Sequence, residues 1–240
     1  MSQLMECEIR ARNKGYSDAV LNEQQRIERL PELDAIIGLL GPCDGQVVLD
    51  AGCGQGQMVD AAKGARIYCG IDFARQGLAA FPILHDQIGT VALSHGNVCM
   101  LPYRSGVFDK ALSSQVLEHI PSEEGRLKFL AELARVLKPA APVVITVYNW
   151  HEGRRVKGVP KEGLHASGIF YHCYDPEEFA TQLRRFFRID ALCSAGVLLP
   201  FAFRFTRSLG RFNKYWDRLW RRSFLGARYG ELLVARCRPL

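Results

Sequence analysis

Three glycines at alternate positions, Gly52, Gly54 and Gly56, follow directly on an apolar run closed by an acid, Val47-Val48-Leu49-Asp50. Glycines spaced this way let the chain leave a buried strand in a sharp turn and let bare backbone approach a ligand without side-chain clash. A second acid, Asp72, closes the next apolar run, Ile67-Tyr68-Cys69-Gly70-Ile71. An acid about 20 residues past such glycines, at the end of the second strand of a βαβ unit, is where ribose hydroxyls find their acceptor. The chemistry suggested is the binding of a nucleoside cofactor. A nicotinamide dinucleotide fits less well. Its fingerprint is Gly-x-Gly-x-x-Gly, whereas position 57 here is Gln and the third glycine comes one residue early.

A turn of this kind needs a sheet to hold it. Strands are expected at 46–50, 66–72, 90–94, 109–114 and 142–148, with helices or loops between most of them, and two late strands at about 186–193 and 229–237. Alternation of strand and helix argues for a parallel sheet covered on both faces. Before the first strand, 18 to 40 reads as an amphipathic helix with Leu21, Ile27, Leu30, Leu33, Ile36 and Ile37 roughly on one face. The clearest helix runs from Ser122 to Lys138: Ser122 caps it, Glu123 and Glu124 occupy its first turn, Leu127, Leu130, Leu133 and Leu137 make its stripe, and Pro139 stops it. Another begins at Asp175-Pro176-Glu177-Glu178, with Asp175 as the capping acid.

At 240 residues the chain can bury a good core as one domain. Its net charge of +6 is mild and suits an anionic cofactor, a membrane surface or a nucleic acid equally. Cys7, Cys43, Cys53, Cys69, Cys99, Cys173, Cys193 and Cys237 form no Cys-x-x-Cys pair, which favours reduced, buried thiols in a cytoplasmic setting over disulfides or structural zinc. Glu6, Glu8, Arg10, Arg12 and Lys14 leave no apolar stretch for a signal peptide. The longest apolar run, from Ala191 to Phe203, is broken by Ser194, Gly196 and Pro200 and falls short of the ~20 residues of a spanning helix.

From Val47 to Asn149 the motifs resemble, in order, those of class I S-adenosylmethionine-dependent methyltransferases. Val48 to Gly56 is similar to the first motif, and Gly70-Ile71-Asp72 to the ribose-binding strand end. Gly96-Asn97-Val98 through Tyr103 resembles the adenine loop, and Val107-Phe108-Asp109 the lead-in to strand four. Val116-Leu117-Glu118-His119-Ile120 and Arg135-Val136-Leu137-Lys138-Pro139 complete the set. Asn97 stands where the family usually has an acid, and an amide carbonyl can still accept from the adenine amino group. The resemblance implies an α/β, Rossmann-like doubly wound sheet of seven strands, mostly parallel with a C-terminal antiparallel strand, and S-adenosyl-L-methionine as cofactor. Gly52, Cys53, Gly54 and Gly56 would border its methionine part, with Asp50 organising the turn. Asp72 would take the ribose hydroxyls, Phe73 would lie against the adenine, Asn97 and Val98 would read its edge, and Gln115 would lie beneath the sulfonium. The implied layout is a helical cap over 1–44, a cofactor core over 45–150 and an acceptor side over 151–240. Amino methylation of DNA bases is disfavoured, because Ser113-Ser114-Gln115-Val116 stands where that subfamily carries Asn/Asp-Pro-Pro-aromatic.

Methyl transfer is an in-line displacement, so the protein supplies alignment, water exclusion and, for a hydroxyl acceptor, a destination for the proton. His151, His165 and His172 are candidates for that last task, with Tyr148, Tyr171 and Tyr174 close by in sequence, and His119 is a further one. Val159 to His165 and Tyr174 to Phe179 faintly resemble the O-methyltransferases of ubiquinone biosynthesis. In that subfamily two glutamates and a histidine after strand four can hold a divalent metal. Here Gln115 with Glu118 and His119 has one hard anionic ligand fewer, so no metal is expected. Between 201 and 224 arginines interleave with aromatics, Leu209, Phe212, Trp216, Leu219 and Trp220 falling on one helical face. Such a segment, within an insertion over 200–226, suits a lid over a greasy acceptor or peripheral membrane contact. RNA is disfavoured by the small footprint. The expectation is methylation of a small or lipid-like molecule, oxygen slightly ahead of carbon or nitrogen, with a methyltransferase-like binding domain that has lost its chemistry, or an RNA-directed enzyme, as alternatives. Oligomeric state is not legible.

Overall fold

The computed structural model describes residues 23–81, 87–197 and 215–240. Its sheet has seven strands in the order β3-β2-β1-β4-β5-β9-β8: β1 (Val47–Ala51), β2 (Ile67–Asp72), β3 (Thr90–His95), β4 (Lys110–Ser114), β5 (Val143–Tyr148), β8 (Phe187–Ala195) and β9 (Leu232–Pro239). Strands β1 to β5 pair in parallel, while β9 runs antiparallel to both β5 and β8. This is the doubly wound, mostly parallel sheet expected. Each expected strand is present to within a few residues. A small antiparallel hairpin, β6 (Glu162–Leu164) and β7 (Phe170–His172), was not foreseen.

Alternate residues of the buried strands feed two cores, one on each face. On one face α1 (Glu23–Leu40) lays Ala35, Ile36, Leu39 and Leu40 over Val48, Leu112 and Val144. On the other, α3 (Glu123–Val136) and α5 (Pro176–Arg184) cover Leu49, Ala111, Val143 and Ile145 with Phe129, Leu130, Leu133, Phe179 and Leu183. Between β2 and β3 lies the short helix α2 (Arg75–Ala79), and α4 (Glu152–Val156) follows β5. The helix over 215–220, here α6, and α7 (Phe224–Tyr229) precede β9.

Several local expectations are corrected. In α1 Ile37 is 45% exposed, while Glu32, at 3%, sits on the buried stripe; Leu21, Ile27 and Leu30 lie outside the described side chains. In α3 Ser122 does cap, accepting from Gly125 N at 3.1 Å. That helix ends at Val136, because Leu137 turns extended to bridge Phe108, and its stripe runs through Phe129 and Val136 rather than the half-buried Leu127. Asp175 holds the N-cap position of α5 without a capping bond. Its carboxylate is drawn instead to Arg155 at 2.8 Å and Lys161 at 2.6 Å, charge-assisted partners that outcompete a backbone N–H.

Of the basic aromatic segment, 201–214 lies outside the described residues, so Leu209 and Phe212 cannot be placed on any face. In α6, Trp216 and Trp220 are half-buried with ring centroids 5.6 Å apart, but Leu219 is 70% exposed, so the face expected to join them is split. Asp217 takes the interior position, accepting from Val197 N at 3.0 Å and from Arg221 Nη2 at 2.7 Å. Asp34 of α1 binds Arg218 and Arg221. Burial works against its charge, but these two arginines hold its carboxyl below the usual range. Among the described residues no helix is long and apolar enough to cross a membrane. The described cysteines, all but Cys7, form no disulfide. Burial raises their thiols, Cys99 to about 11 and Cys237 to about 12.

Candidate active site

The turn after β1 is strapped across the end of β2. Gly52 N donates to Ile71 O at 2.8 Å, Cys53 N to the same oxygen at 3.1 Å, and Gly54 N to Asp72 Oδ2 at 2.8 Å. Gly52, Gly54 and Gly56 all have positive φ, the left-handed region that L side chains avoid. At Gly52 there is a second reason for glycine: an added Cβ would lie 2.2 Å from Val116 Cγ2. The segment after β4 therefore presses directly on the turn. After the turn the chain forms only a 3-10 turn (Val59–Ala62) before β2.

Two carboxylates sit under this turn. Asp50, 1% exposed, accepts from Tyr68 Oη at 2.6 Å. Burial raises its carboxyl to about 7; the Tyr68 bond opposes that rise and the nearby Asp72 charge adds to it. Asp72, also buried, accepts from Gly54 N and, through Oδ1, from Ala74 N at 2.8 Å. Burial and both acids push the Cys53 thiol far up, so it serves the turn as a small apolar side chain. Phe73 O lies 3.0 Å from His95 Nε2. Asn97 Oδ1 accepts from Cys99 N at 2.9 Å, which ties the loop beyond β3 and leaves the oxygen a second lone pair. Val98 is buried against the core.

Gln115, beyond β4, has φ 55° and donates its amide N–H to Glu32 Oε2 at 2.6 Å. The sequence reading missed Glu32. Its signal was present: residue 32 stands three and four positions before Ala35 and Ile36, so a charge lies in the apolar stripe.

The four histidine candidates separate into three places. His119, in the 3-10 turn Leu117–His119, and His165, in the β6–β7 hairpin loop, come together with ring centroids 6.0 Å apart. Tyr148 stands edge-on to both, at 5.4 Å and 6.0 Å, and Tyr171 packs on His165 at 4.6 Å. This cluster sits at the C-terminal end of β5 and the loop after β4, the edge that also carries the glycine turn, which is where ligands bind in open α/β sheets. His172 is elsewhere, with both nitrogens on carboxylates: Nδ1 3.0 Å from Glu162 and Nε2 2.7 Å from Glu178. It fastens the hairpin to α5. His151 caps α4 by accepting from Gly153 N at 3.1 Å, and its Nε2 lies 3.2 Å from Glu231. It lines an open cavity of about 270 Å³ with Trp150, Arg155, Phe224 and Arg228.

Residues 49–145 match the family model described as a methyltransferase domain. Over this span the chain is similar to the methyltransferase domain family. Among curated members of that family, norajmaline N-methyltransferase of Rauvolfia serpentina is 37% identical over 109 residues, 42% of this chain and 35% of that protein. The ubiquinone biosynthesis O-methyltransferase of Paracidovorax citrulli is 28% identical over 172 residues, 66% of this chain and 69% of that protein. Among the first of these methyltransferase relatives the chain thus spans only about a third of their length. In fold the chain is similar to the 1,6-didemethyltoxoflavin-N1-methyltransferase of Burkholderia thailandensis, solved with S-adenosylhomocysteine bound: TM-score 0.64 and 18% identity, covering 100% of this chain and 91% of that one.

Proposed function

We propose that this chain transfers the methyl group of S-adenosylmethionine to a hydroxyl-bearing small or lipid-like molecule, with His119 receiving the proton. The cofactor supplies a methyl group already activated on a sulfonium. The protein then has to align the acceptor and dispose of a proton. The observation that carries the reading is the 2.7 Å contact between His119 Nδ1 and the backbone oxygen of Phe170. A carbonyl oxygen only accepts, so the proton resides on Nδ1 and Nε2 is the basic nitrogen. His165, Tyr148 and Tyr171 around that ring offer a partly apolar aromatic wall suited to a phenol or quinol. A neutral amine can attack before losing its proton, whereas a weakly acidic hydroxyl needs a base, so a basic histidine favours oxygen. His151 and His172, spent on caps and ion pairs, are assigned structural roles.

On the donor side, Asp50, Gly52, Gly54, Gly56 and Asp72 are assigned to the methionine and ribose parts, Phe73, Asn97 and Val98 to the adenine, and Gln115 to the sulfonium. Exposed Leu219 and Phe224 beside Arg222 support peripheral contact with a lipid surface as the route of a greasy acceptor.

The test is a screen of quinols, phenols and glycolipids with isotopically labelled S-adenosylmethionine. His119→Ala is expected to lower turnover about 10²-fold with S-adenosylhomocysteine affinity unchanged in calorimetry. Asp72→Ala is expected to do the converse, weakening that affinity roughly 10- to 100-fold, as for loss of a buried charged hydrogen bond. Full turnover in the His119 variant would exclude it as base. Donor binding without turnover on any acceptor would favour a binding domain that has lost its chemistry.

A further inference from the structure

We propose that Glu32 is a positioning residue for the donor site, orienting the amide of Gln115; this rests on the assignment of Gln115 to the sulfonium made above. Glu32 is 3% exposed on a helix that begins far from the glycine turn in sequence, yet it gathers three side chains from the ends of β4 and β5. Oε1 accepts from Ser114 Oγ and Thr146 Oγ1, both at 2.7 Å, and Oε2 accepts from Gln115 Nε2 at 2.6 Å. The backbone of Gln115 is held as well, its N–H shared between Thr146 O at 3.2 Å and Thr146 Oγ1 at 3.1 Å while φ is 55°. A left-handed non-glycine residue persists where its surroundings over-determine it. The next residue, Val116, is the one that presses on Gly52. Glu32, Gln115, Val116 and the glycine turn are thus one continuous packed path.

The path has a chemical consequence. A carboxylate has no proton to donate, so the amide of Gln115 must turn its NH2 to Glu32 and its carbonyl oxygen the other way, which removes the usual ambiguity of amide orientation. An oxygen dipole facing the cofactor favours a positive sulfonium over the neutral thioether of the product. In Glu32→Gln, the new amide can keep both hydroxyl bonds through its oxygen, but its own NH2 then faces Gln115. That side chain would flip, meeting it with oxygen and turning NH2 toward the donor.

The experiment is calorimetric titration of the whole chain with S-adenosylmethionine and, separately, S-adenosylhomocysteine, for wild type, Glu32→Gln, Gln115→Met and Asp34→Asn, with melting temperatures alongside. The expected result is that the preference for the sulfonium compound over the thioether falls about five-fold in both Glu32→Gln and Gln115→Met, about one hydrogen bond's worth. Asp34→Asn, which loosens the same helix from α6, should leave that ratio unchanged. An unchanged ratio in Gln115→Met, or in a folded Glu32→Gln, overturns the positioning role. So does an equal change in Asp34→Asn, which would assign the effect to helix docking. Wild type binding neither compound overturns this proposal together with the donor assignment beneath it.

Discussion

Replacing Gly52 with alanine is expected to destabilise the protein by about 2 to 6 kcal/mol, a large part of a typical domain's stability. Two costs add. With φ at 86°, an L residue at this position is strained, costing about 1 to 3 kcal/mol. The added Cβ would also lie 2.2 Å from Val116 Cγ2 and 3.2 Å from Cγ1. Those methyls belong to a stiff β-branched side chain that cannot swing aside, and overpacking of that kind costs about 1 to 3 kcal/mol more. Either the turn lifts, which breaks the bonds of Gly52 and Cys53 to Ile71 O, or the segment carrying Gln115 moves. Both disturb the proposed donor site. Gly45→Ala is the internal control: φ is 70° there, but nothing lies within 4 Å of the added carbon. It should show the conformational cost alone. Urea denaturation of the two variants measures the difference, and equal losses would refute the packing component.

The glycine turn was legible because it is local: strand, acid, glycines and the second acid lie within 26 residues of one another, from Val47 to Asp72. The sheet was legible because strands buried on both faces read as nearly continuous apolar runs. The acceptor side was not, and the reason is distance along the chain. His119 and His165 meet only because three-residue strands fold back over the loop after β4, and strands that short have too little periodicity to announce themselves. His151 and His172 have the same residue type and a similar neighbourhood in sequence, but their roles are decided by Glu231, Glu162 and Glu178, which no spacing rule pairs with them. Glu32 was hidden in a different way. A glutamate in an amphipathic helix is ordinarily taken as solvated, and here it is buried only because donors 82 to 114 residues away converge on it. The 201–214 stretch lies outside the described residues, and only its continuation through α6 bears on the expected aromatic face.

Asp50→Asn is expected to stabilise the free protein at neutral and alkaline pH while weakening its hold on the donor. Asp50 is buried and its carboxyl is raised from 3.8 to about 7. Between those limits the unfolded chain has released the proton and the native state has not. Native stability therefore falls as pH rises through this window, by up to about 4 kcal/mol at 1.36 kcal/mol per unit, and is flat above it. Asparagine has no such charge to bury. Its carbonyl can still accept the Tyr68 hydroxyl that now sits 2.6 Å from Oδ2. The variant should lie about 1 kcal/mol below wild type near pH 4, where its new N–H groups find no acceptor, and gain on it steadily up to about pH 7. In the proposed donor assignment the same carboxylate, once ionised, suits the cationic amino end of the donor, a binding role held at the expense of stability. Two measurements separate these effects. Stability against pH by urea titration should diverge between variant and wild type only across that window. Calorimetry with S-adenosylhomocysteine near pH 6, repeated in buffers of different ionisation enthalpy, should detect proton release on binding to wild type and none to Asp50→Asn. Identical proton release in the two proteins would transfer the titration to another group and remove Asp50 from the donor site.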